Sequence, residues 1–151
     1  MKTVTVKKMA GHAYAMQIDD GRHTLIADEA VDDGGDDLGP APYELLLSAL
    51  GSCTAITLLM YARRKHWPVQ DVSVHVTQDK VNPEGRSEFT LEQASAAGPS
   101  GRLDLITMHV SVKGDLDTEQ LDRLLEIAKR CPVHRTLEAR PAFVSEISLL
   151  A

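Results

Sequence analysis

The sequence predicts an α+β fold, in which two apolar helices pack against a mostly antiparallel sheet. Alternating apolar and polar residues, typical of half-buried strands, occur near the N-terminus, over residues 72–76 and over residues 103–112. Two helical segments interrupt these strands, at residues 42–65 and from residue 117 to about residue 131. The chain has 151 residues, which fits a single domain over residues 1–151.

The N-terminal segment predicts a hairpin followed by a polar loop. Residues 4–6 and 13–18 indicate two short strands, and the turn Asp19-Asp20-Gly21 leads into a third at residues 23–27. Residues 31–40 contain four aspartates and three glycines. Their spacing lacks the alternating ligands and the terminal glutamate of an EF-hand, so we expect a solvated loop rather than a calcium site.

The longest predicted helix begins at Pro42 and ends near Lys65. Proline suits the first turn because its missing N–H would be unpaired there in any residue. Residues 45–62 are apolar on almost every face, which is typical of a helix buried on all sides. A domain of this size rarely surrounds one helix completely, so we expect a partner subunit to cover part of it.

The remaining elements follow from local patterns. Residues 82–101 are rich in proline and glycine and predict a loop, within which Phe89 and Leu91 indicate a short strand. Asp117 or Thr118 can cap the second helix, which we expect to continue to Cys131. Beyond it, the sequence predicts an interruption at Pro132, a helical turn over residues 133–137 and a last strand that contains three apolar residues, Val144, Ile147 and Leu149.

Composition limits the possible partners and location. The formal net charge of −6 argues against non-specific binding to nucleic acid or to an anionic membrane. The longest apolar stretches are broken within ten residues, so no membrane-spanning segment is expected. Residues 1–8 lack the apolar core of a secretory signal. We therefore expect a cytoplasmic protein.

Cys53 and Cys131 are the candidate reactive residues. Two cysteines cannot form the disulfide framework of a small secreted protein. In a reducing compartment they are either buried small apolar side chains or a reactive pair that the fold brings together. A reactive thiol needs a nearby cation or hydrogen-bond donors, and the candidates are Arg22, His134, Arg135 or an arginine of a second subunit.

A metal site is a weaker interpretation of the same region. Cys131 and His134 are spaced to lie on one helical face, but no further pair completes a tetrahedral zinc site. His75 and His109 lie in alternating strands and are interpreted as surface residues or as histidines with satisfied hydrogen bonds. We therefore expect no bound metal.

Two motifs together resemble the OsmC/Ohr family, the osmotically induced and organic hydroperoxide resistance proteins. Residues 39–53, GPAPYELLLSALGSC, resemble the first-cysteine helix of that family. Residues 131–137, CPVHRTL, resemble its second-cysteine motif, in particular that of the OsmC-like branch. The order of elements is similar from about residue 3 to residue 149.

The resemblance implies a fold, an assembly and a reaction. The family forms an intertwined homodimer, with two long central helices wrapped by sheets and with active sites at the subunit interface. By resemblance, Cys53 attacks an organic hydroperoxide and becomes a sulfenic acid, and Cys131 condenses with it to a disulfide. A dithiol reductant, typically a lipoyl-type one, then restores both thiols. This chemistry needs no metal, flavin or haem.

The resemblance also suggests partners for Cys53. In the hydroperoxide resistance branch, a glutamate ten positions before the first cysteine pairs with an activating arginine; here Tyr43 holds that position and Glu44 follows it. Nine residues rotate an ideal helix by about 180°, so Glu44 is expected to face away from Cys53. Glu44 is therefore interpreted as a helix N-terminal charge or, alternatively, an active-site partner. Arg22 is the nearest match to the arginine, with an exposed turn residue as the alternative.

A second class of function stays open. The chain could be a non-enzymatic, stress-associated protein that binds a small apolar ligand at the dimer interface, with both cysteines merely packed there. A peroxidase forms a Cys53–Cys131 disulfide when it meets a hydroperoxide, and a binding protein does not.

Overall fold

The structure is a computed structural model that describes residues 2–95, 97 and 99–149. Its elements are helices and antiparallel strands, which confirms the predicted α+β class. The chain divides into two compact units, residues 1–49 and residues 50–151.

The first unit contains a three-stranded antiparallel sheet. Strands β1 (Thr5–Lys8), β2 (Met16–Asp19) and β3 (Thr24–Ala27) are hydrogen-bonded in that order, which confirms the predicted hairpin. The turn between β2 and β3 places Gly21 at a φ of 86°, a conformation that favours glycine. Asp20 Oδ1 accepts hydrogen bonds from the backbone N–H groups of the two residues after Gly21, at 2.8 and 2.7 Å.

The polar loop after β3 is organised by a buried carboxylate. Asp28 accepts hydrogen bonds from the backbone N–H groups of Glu29, Asp36 and Leu38 at 2.9, 3.1 and 3.3 Å. Burial raises the pKa of Asp28, but these three donors outweigh it and hold the pKa below its ordinary value. The loop also contains a short 3-10 turn, Val31–Asp33.

Helix α1 (Pro42–Lys65) begins and ends where the sequence predicts. By length and composition it could cross a membrane, with a mean hydropathy of 1.8 over 18 residues. The argument that breaks within ten residues leave no candidate segment was therefore wrong. The polar residues that interrupt the apolar stretches of this helix are mostly uncharged. The mean hydropathy over 18 residues therefore stays high although no uninterrupted apolar stretch is that long. One such helix is weak evidence for a membrane, because the core helix of a soluble protein passes the same test.

The second unit places the last four turns of α1 against a two-stranded sheet. Strand β4 (Val69–Val81) pairs antiparallel with β5 (Leu103–Gly114) along its whole length. Gly51 of α1 lies so close to Val76 of β4 that an added Cβ would come within 3.3 Å of its side chain. The helix thus lies close against the sheet at this point.

Helix α3 (Thr118–Ala128) completes the core of this unit. Asp117 Oδ1 accepts the backbone N–H of Gln120 at 2.8 Å, and Gln120 Oε1 accepts that of Asp117 at 3.0 Å. This capping box confirms the predicted start of the helix. The buried core cluster is shared between α1 and α3 and consists of Leu58, Tyr61, Leu124, Ile127 and Ala128.

The short strand predicted near Leu91 is absent from the described residues of the second unit. Phe89 and Leu91 do not form a strand; Leu91 begins a short helix, α2 (Leu91–Ser95). Thr90 and Gln93 form reciprocal side-chain to backbone hydrogen bonds of 2.9 and 3.1 Å, a capping box that starts a helix at this point.

The predicted last strand is also absent from the part of the chain that the structure describes. Val144, Ile147 and Leu149 lie in a segment without regular structure, and their exposures are 93, 100 and 98%. A strand exists only where a second strand supplies hydrogen-bond partners. This segment has the apolar pattern of a strand, but among the described residues of the single chain no strand pairs with it.

Candidate active site

Cys131 lies at the start of a short helix rather than at the end of a long one. Helix α3 ends at Ala128, and α4 (Pro132–Glu138) begins directly after Cys131. The expectation that the second helix reaches Cys131 was wrong, because a residue before proline is disfavoured in the helical conformation. Cys131 is extended, with φ −62° and ψ 140°, and its Sγ accepts the backbone N–H of His134 at 3.3 Å.

A second hydrogen bond joins Cys131 to helix α1. The hydroxyl oxygen of Thr54 lies 3.5 Å from Cys131 Sγ, and both side chains are 0% exposed. Thr54 follows Cys53 directly in the sequence. The bond therefore ties the segment that carries one cysteine to the segment that carries the other.

The two cysteines meet in the second unit. The side chain of Cys53 forms a hydrogen bond with Cys131, and both residues are free thiols. Cys53 is partly exposed, whereas Cys131 is fully buried. Of the pair, Cys53 is thus the more exposed sulfur in the single chain.

The environment of Cys131 favours its thiolate. Burial raises the pKa of the Cys131 thiol, but hydrogen bonds from Thr54, from the backbone N–H groups of His134 and Val133, and from Cys53 outweigh burial and lower it. A thiolate is a far better nucleophile than a thiol. The pair thus consists of a partly exposed sulfur beside a buried one whose pKa is lowered.

A cavity with a mixed lining lies beside this pair. It has a volume of about 240 Å³ and is lined by apolar side chains, among them Leu50, Ile106 and Met108, and by the carboxylates of Glu88, Asp104 and Glu138. Met108 Sδ lies 3.8 Å from the Thr54 hydroxyl oxygen, and the backbone of His134 contacts Cys131 Sγ. The cavity is thus one residue away from the sulfurs and offers a small molecule both apolar and acidic side chains.

Arg22 and Glu44 belong to the first unit. Arg22 is exposed in the turn between β2 and β3. Glu44 is exposed in the first turn of α1, where its Oε2 accepts the backbone N–H of Ala41 at 3.0 Å. Glu44 therefore acts at the helix N-terminus. A catalytic role for either residue stays a prediction.

The other candidate activators are on α4. His134 Nδ1 lies 3.3 Å from Glu138 Oε2, and Arg135 is exposed. Cys131 Sγ contacts the backbone rather than the imidazole of His134. Across the described residues, no group of three or more His, Cys, Asp or Glu side chains could hold a metal ion.

Thr54 is the site residue that the sequence analysis missed. One signal could have found it: a hydroxyl residue next to Cys53, inside a strongly apolar helix. A buried hydroxyl needs a hydrogen-bond partner. In such a helix, a nearby sulfur is one of few candidates besides the helix backbone.

Comparisons with known proteins identify a family for this chain. The sequence model of a family described as OsmC-like protein matches residues 34–146. No match was found among curated protein sequences.

Solved structures with the same fold have low sequence identity to this chain. An OsmC-like protein from Mycoplasma pneumoniae has a TM-score of 0.69 at 18% identity, over 93% of this chain and 89% of that chain. The organic hydroperoxide resistance protein OhrB of Bacillus subtilis has a TM-score of 0.58 at 21% identity, over 93% and 92%. An organic hydroperoxide resistance protein OsmC from Legionella pneumophila has a TM-score of 0.60 at 15% identity, over 91% and 88%.

Proposed function

Because the chain belongs to the OsmC-like protein family, we propose that it is a cysteine-dependent peroxidase that reduces organic hydroperoxides in the cytoplasm. The observation that carries this proposal is the contact between an accessible Cys53 and a buried Cys131 whose pKa is lowered. Two structurally similar proteins are named as organic hydroperoxide resistance proteins, which supports the same substrate class.

The first step oxidises Cys53. Its thiolate attacks the terminal oxygen of the hydroperoxide, so that an S–O bond forms and the O–O bond breaks. The alkoxide leaves as an alcohol once it has taken up a proton. We propose Arg22 as the cation that favours the Cys53 thiolate. Glu44, whose carboxylate already accepts a backbone N–H, is a weaker candidate for a role here.

The second step forms the disulfide and the third removes it. The sulfur of Cys131 attacks the Cys53 sulfenic acid, an S–S bond forms, and the sulfenic oxygen leaves as water. A lipoyl-type dithiol then reduces the disulfide by two successive thiol–disulfide exchanges and becomes a cyclic disulfide itself. Each cycle thus consumes one hydroperoxide and one dithiol.

Steady-state consumption of cumene hydroperoxide tests this function. With dihydrolipoamide as reductant we expect catalytic turnover that saturates with hydroperoxide. Glutathione, a monothiol, is the control and is expected to support far slower turnover, because its mixed disulfide needs a second, bimolecular attack. Consumption no faster than without protein would contradict the proposal.

We propose a homodimer as the active assembly. Ile56, Leu59 and Met60 of α1 are 57, 44 and 69% exposed, so in the single chain this helix is not buried on all sides. The C-terminal segment adds fully exposed apolar side chains, among them Ile147. Apolar surface of this extent marks an interaction site, and a second copy of the chain is the partner that the family resemblance implies.

The mass in solution tests the dimer. We expect twice the 16.5 kDa of one chain in light scattering. Met60→Asp should weaken the dimer at least about tenfold, because it buries an unpaired charge in the interface. Asn82→Asp adds the same charge at another exposed residue and should leave the dimer intact. A monomeric wild-type protein, or equal effects of both substitutions, would contradict the assembly.

The cavity beside the cysteines favours a second candidate function. A protein that only stores or carries a small apolar molecule would also need such a cavity and could keep its cysteines reduced. This alternative requires that hydroperoxide leave both thiols unchanged.

A further inference from the structure

We propose that Thr54 is a positioning residue for the second step, whose hydroxyl favours the thiolate of Cys131 and orients that sulfur toward Cys53. This inference rests on the proposed peroxidase function and adds a role to it. Arginine activation concerns the first sulfur, whereas Thr54 acts on the second.

The hydroxyl of Thr54 has two sulfur neighbours and only one hydrogen. Its oxygen lies 3.5 Å from Cys131 Sγ and 3.8 Å from Met108 Sδ. A thioether is a weak acceptor, whereas an ionised sulfur is a strong one. The hydrogen therefore goes to Cys131 whenever that sulfur is a thiolate.

The orientation of Thr54 differs from that of two other helical threonines, Thr57 and Thr136. A threonine within a helix commonly donates its hydroxyl to the carbonyl four residues earlier. Thr57 does so with Cys53 at 2.7 Å, and Thr136 does so with Pro132 at 3.0 Å. The hydroxyl of Thr54 instead reaches from α1 to the residue that begins α4.

Burial makes this hydrogen bond effective. Thr54 and Cys131 are both 0% exposed, so water does not compete for the hydroxyl or for the sulfur. A hydrogen bond to an ionised acceptor is about twice as strong as one between neutral groups. Burial disfavours the Cys131 thiolate, and the hydrogen bond from Thr54 offsets part of this effect. Loss of the hydroxyl would therefore raise the pKa of Cys131.

The other groups at the sulfur act in the same direction. Backbone N–H groups of Val133 and His134 and the side chain of Cys53 also lower the pKa of Cys131. The titratable side chains of the residues in these contacts are Cys53 on α1 and His134 on α4. Once Cys53 has become a sulfenic acid, it no longer donates its thiol hydrogen to Cys131. The hydrogen bonds from Thr54 and from the two backbone N–H groups remain, so the contribution of Thr54 to the lowered pKa is largest during the second step.

The chemistry of that step follows directly. The Cys131 thiolate attacks the Cys53 sulfenic sulfur, the S–S bond forms, and the S–O bond breaks. Hydroxide leaves and takes up one proton from solvent to become water. The oxidant is the sulfenic acid that the hydroperoxide has already produced, so no further reactant is needed.

Thr54→Val and Thr54→Ser distinguish the effect of the Thr54 hydroxyl from the effect of how the Thr54 side chain packs. Valine keeps the shape and removes the hydroxyl, whereas serine keeps the hydroxyl. We expect Thr54→Val to slow disulfide formation at neutral pH on the order of tenfold, since each unit of pKa rise lowers the thiolate fraction about tenfold. Its pH–rate profile should move to higher pH. In Thr54→Ser, the rate of disulfide formation and the pH–rate profile should both stay close to those of the wild-type protein. Sulfenic acid formation on Cys53 should stay within about twofold.

The two steps are measured separately by rapid mixing with cumene hydroperoxide. Trapping with a sulfenic-acid reagent reports the first step, and mass spectrometry after acid quenching reports the disulfide. Thr136→Val removes a hydroxyl from the exposed face of α4 and should change neither rate. Thr54→Ala replaces the valine variant if that variant does not fold.

A titration without hydroperoxide makes the inference independent of turnover. In reduced Cys53→Ser protein, thiolate absorbance in the far ultraviolet reports the pKa of Cys131 alone. Thr54→Val should raise this pKa and Thr54→Ser should not. Failure of the peroxidase function would abolish consumption of hydroperoxide but leave this shift in place. An unchanged pKa together with an unchanged disulfide rate in Thr54→Val would overturn the role of Thr54.

Discussion

Cys53→Ser is expected to reduce hydroperoxide consumption to the rate without protein. A serine hydroxyl stays protonated at neutral pH and cannot form a sulfenic acid. Cys131 cannot take over, because it is 0% exposed and a hydroperoxide cannot reach its sulfur. The measurement is the loss of cumene hydroperoxide with dihydrolipoamide in excess, with circular dichroism to confirm that the variant is folded.

Cys131→Ser is the matched control for that variant. It retains the accessible sulfur and should consume one equivalent of hydroperoxide before it stops, with the sulfenic acid trapped on Cys53. Appreciable turnover by Cys53→Ser would refute the role of Cys53. Full turnover by Cys131→Ser would refute the need for an internal disulfide.

Leu58→Ala is expected to lower the free energy of unfolding by about 2–5 kcal/mol, the range found for leucine truncation in well-packed cores. Leu58 is 1% exposed and contacts the core cluster between α1 and α3. Because domains of this kind are stable by only about 5–15 kcal/mol, the loss should be plain in urea unfolding at pH 7.

Leu91→Ala makes the same chemical change at a residue that is 92% exposed. Its effect should stay within about 0.5 kcal/mol, as for most surface substitutions. Equal losses in the two variants would mean that the cluster around Leu58 is not the core that holds this unit together.

The sequence predicts this fold well where local signals decide the structure. Proline at the first position and a long apolar run define α1, and the side chains of Asp117 and Gln120 define the start of α3. The hairpin between β2 and β3 follows from Asp20 and Gly21. In each case the hydrogen bonds that start or end the element lie within a few residues.

The remaining features depend on contacts that are distant in sequence. Thr54 contacts Cys131 only because α1 packs beside the start of α4, and no local pattern encodes that approach. The apolar segment around Ile147 has a strand pattern, but a strand forms only with a partner strand. Near Leu91, a local capping box outweighs the weak alternating pattern that favours a strand.

The central claim is that Cys53 and Cys131 form a disulfide when the protein meets a hydroperoxide. Thiol titration of the reduced protein, before and after one equivalent of cumene hydroperoxide and with intact mass in parallel, tests it most directly. The account predicts that both thiols disappear and that the mass falls by about two hydrogens. Two surviving thiols and an unchanged mass would contradict the peroxidase function and favour a protein that binds a small apolar ligand.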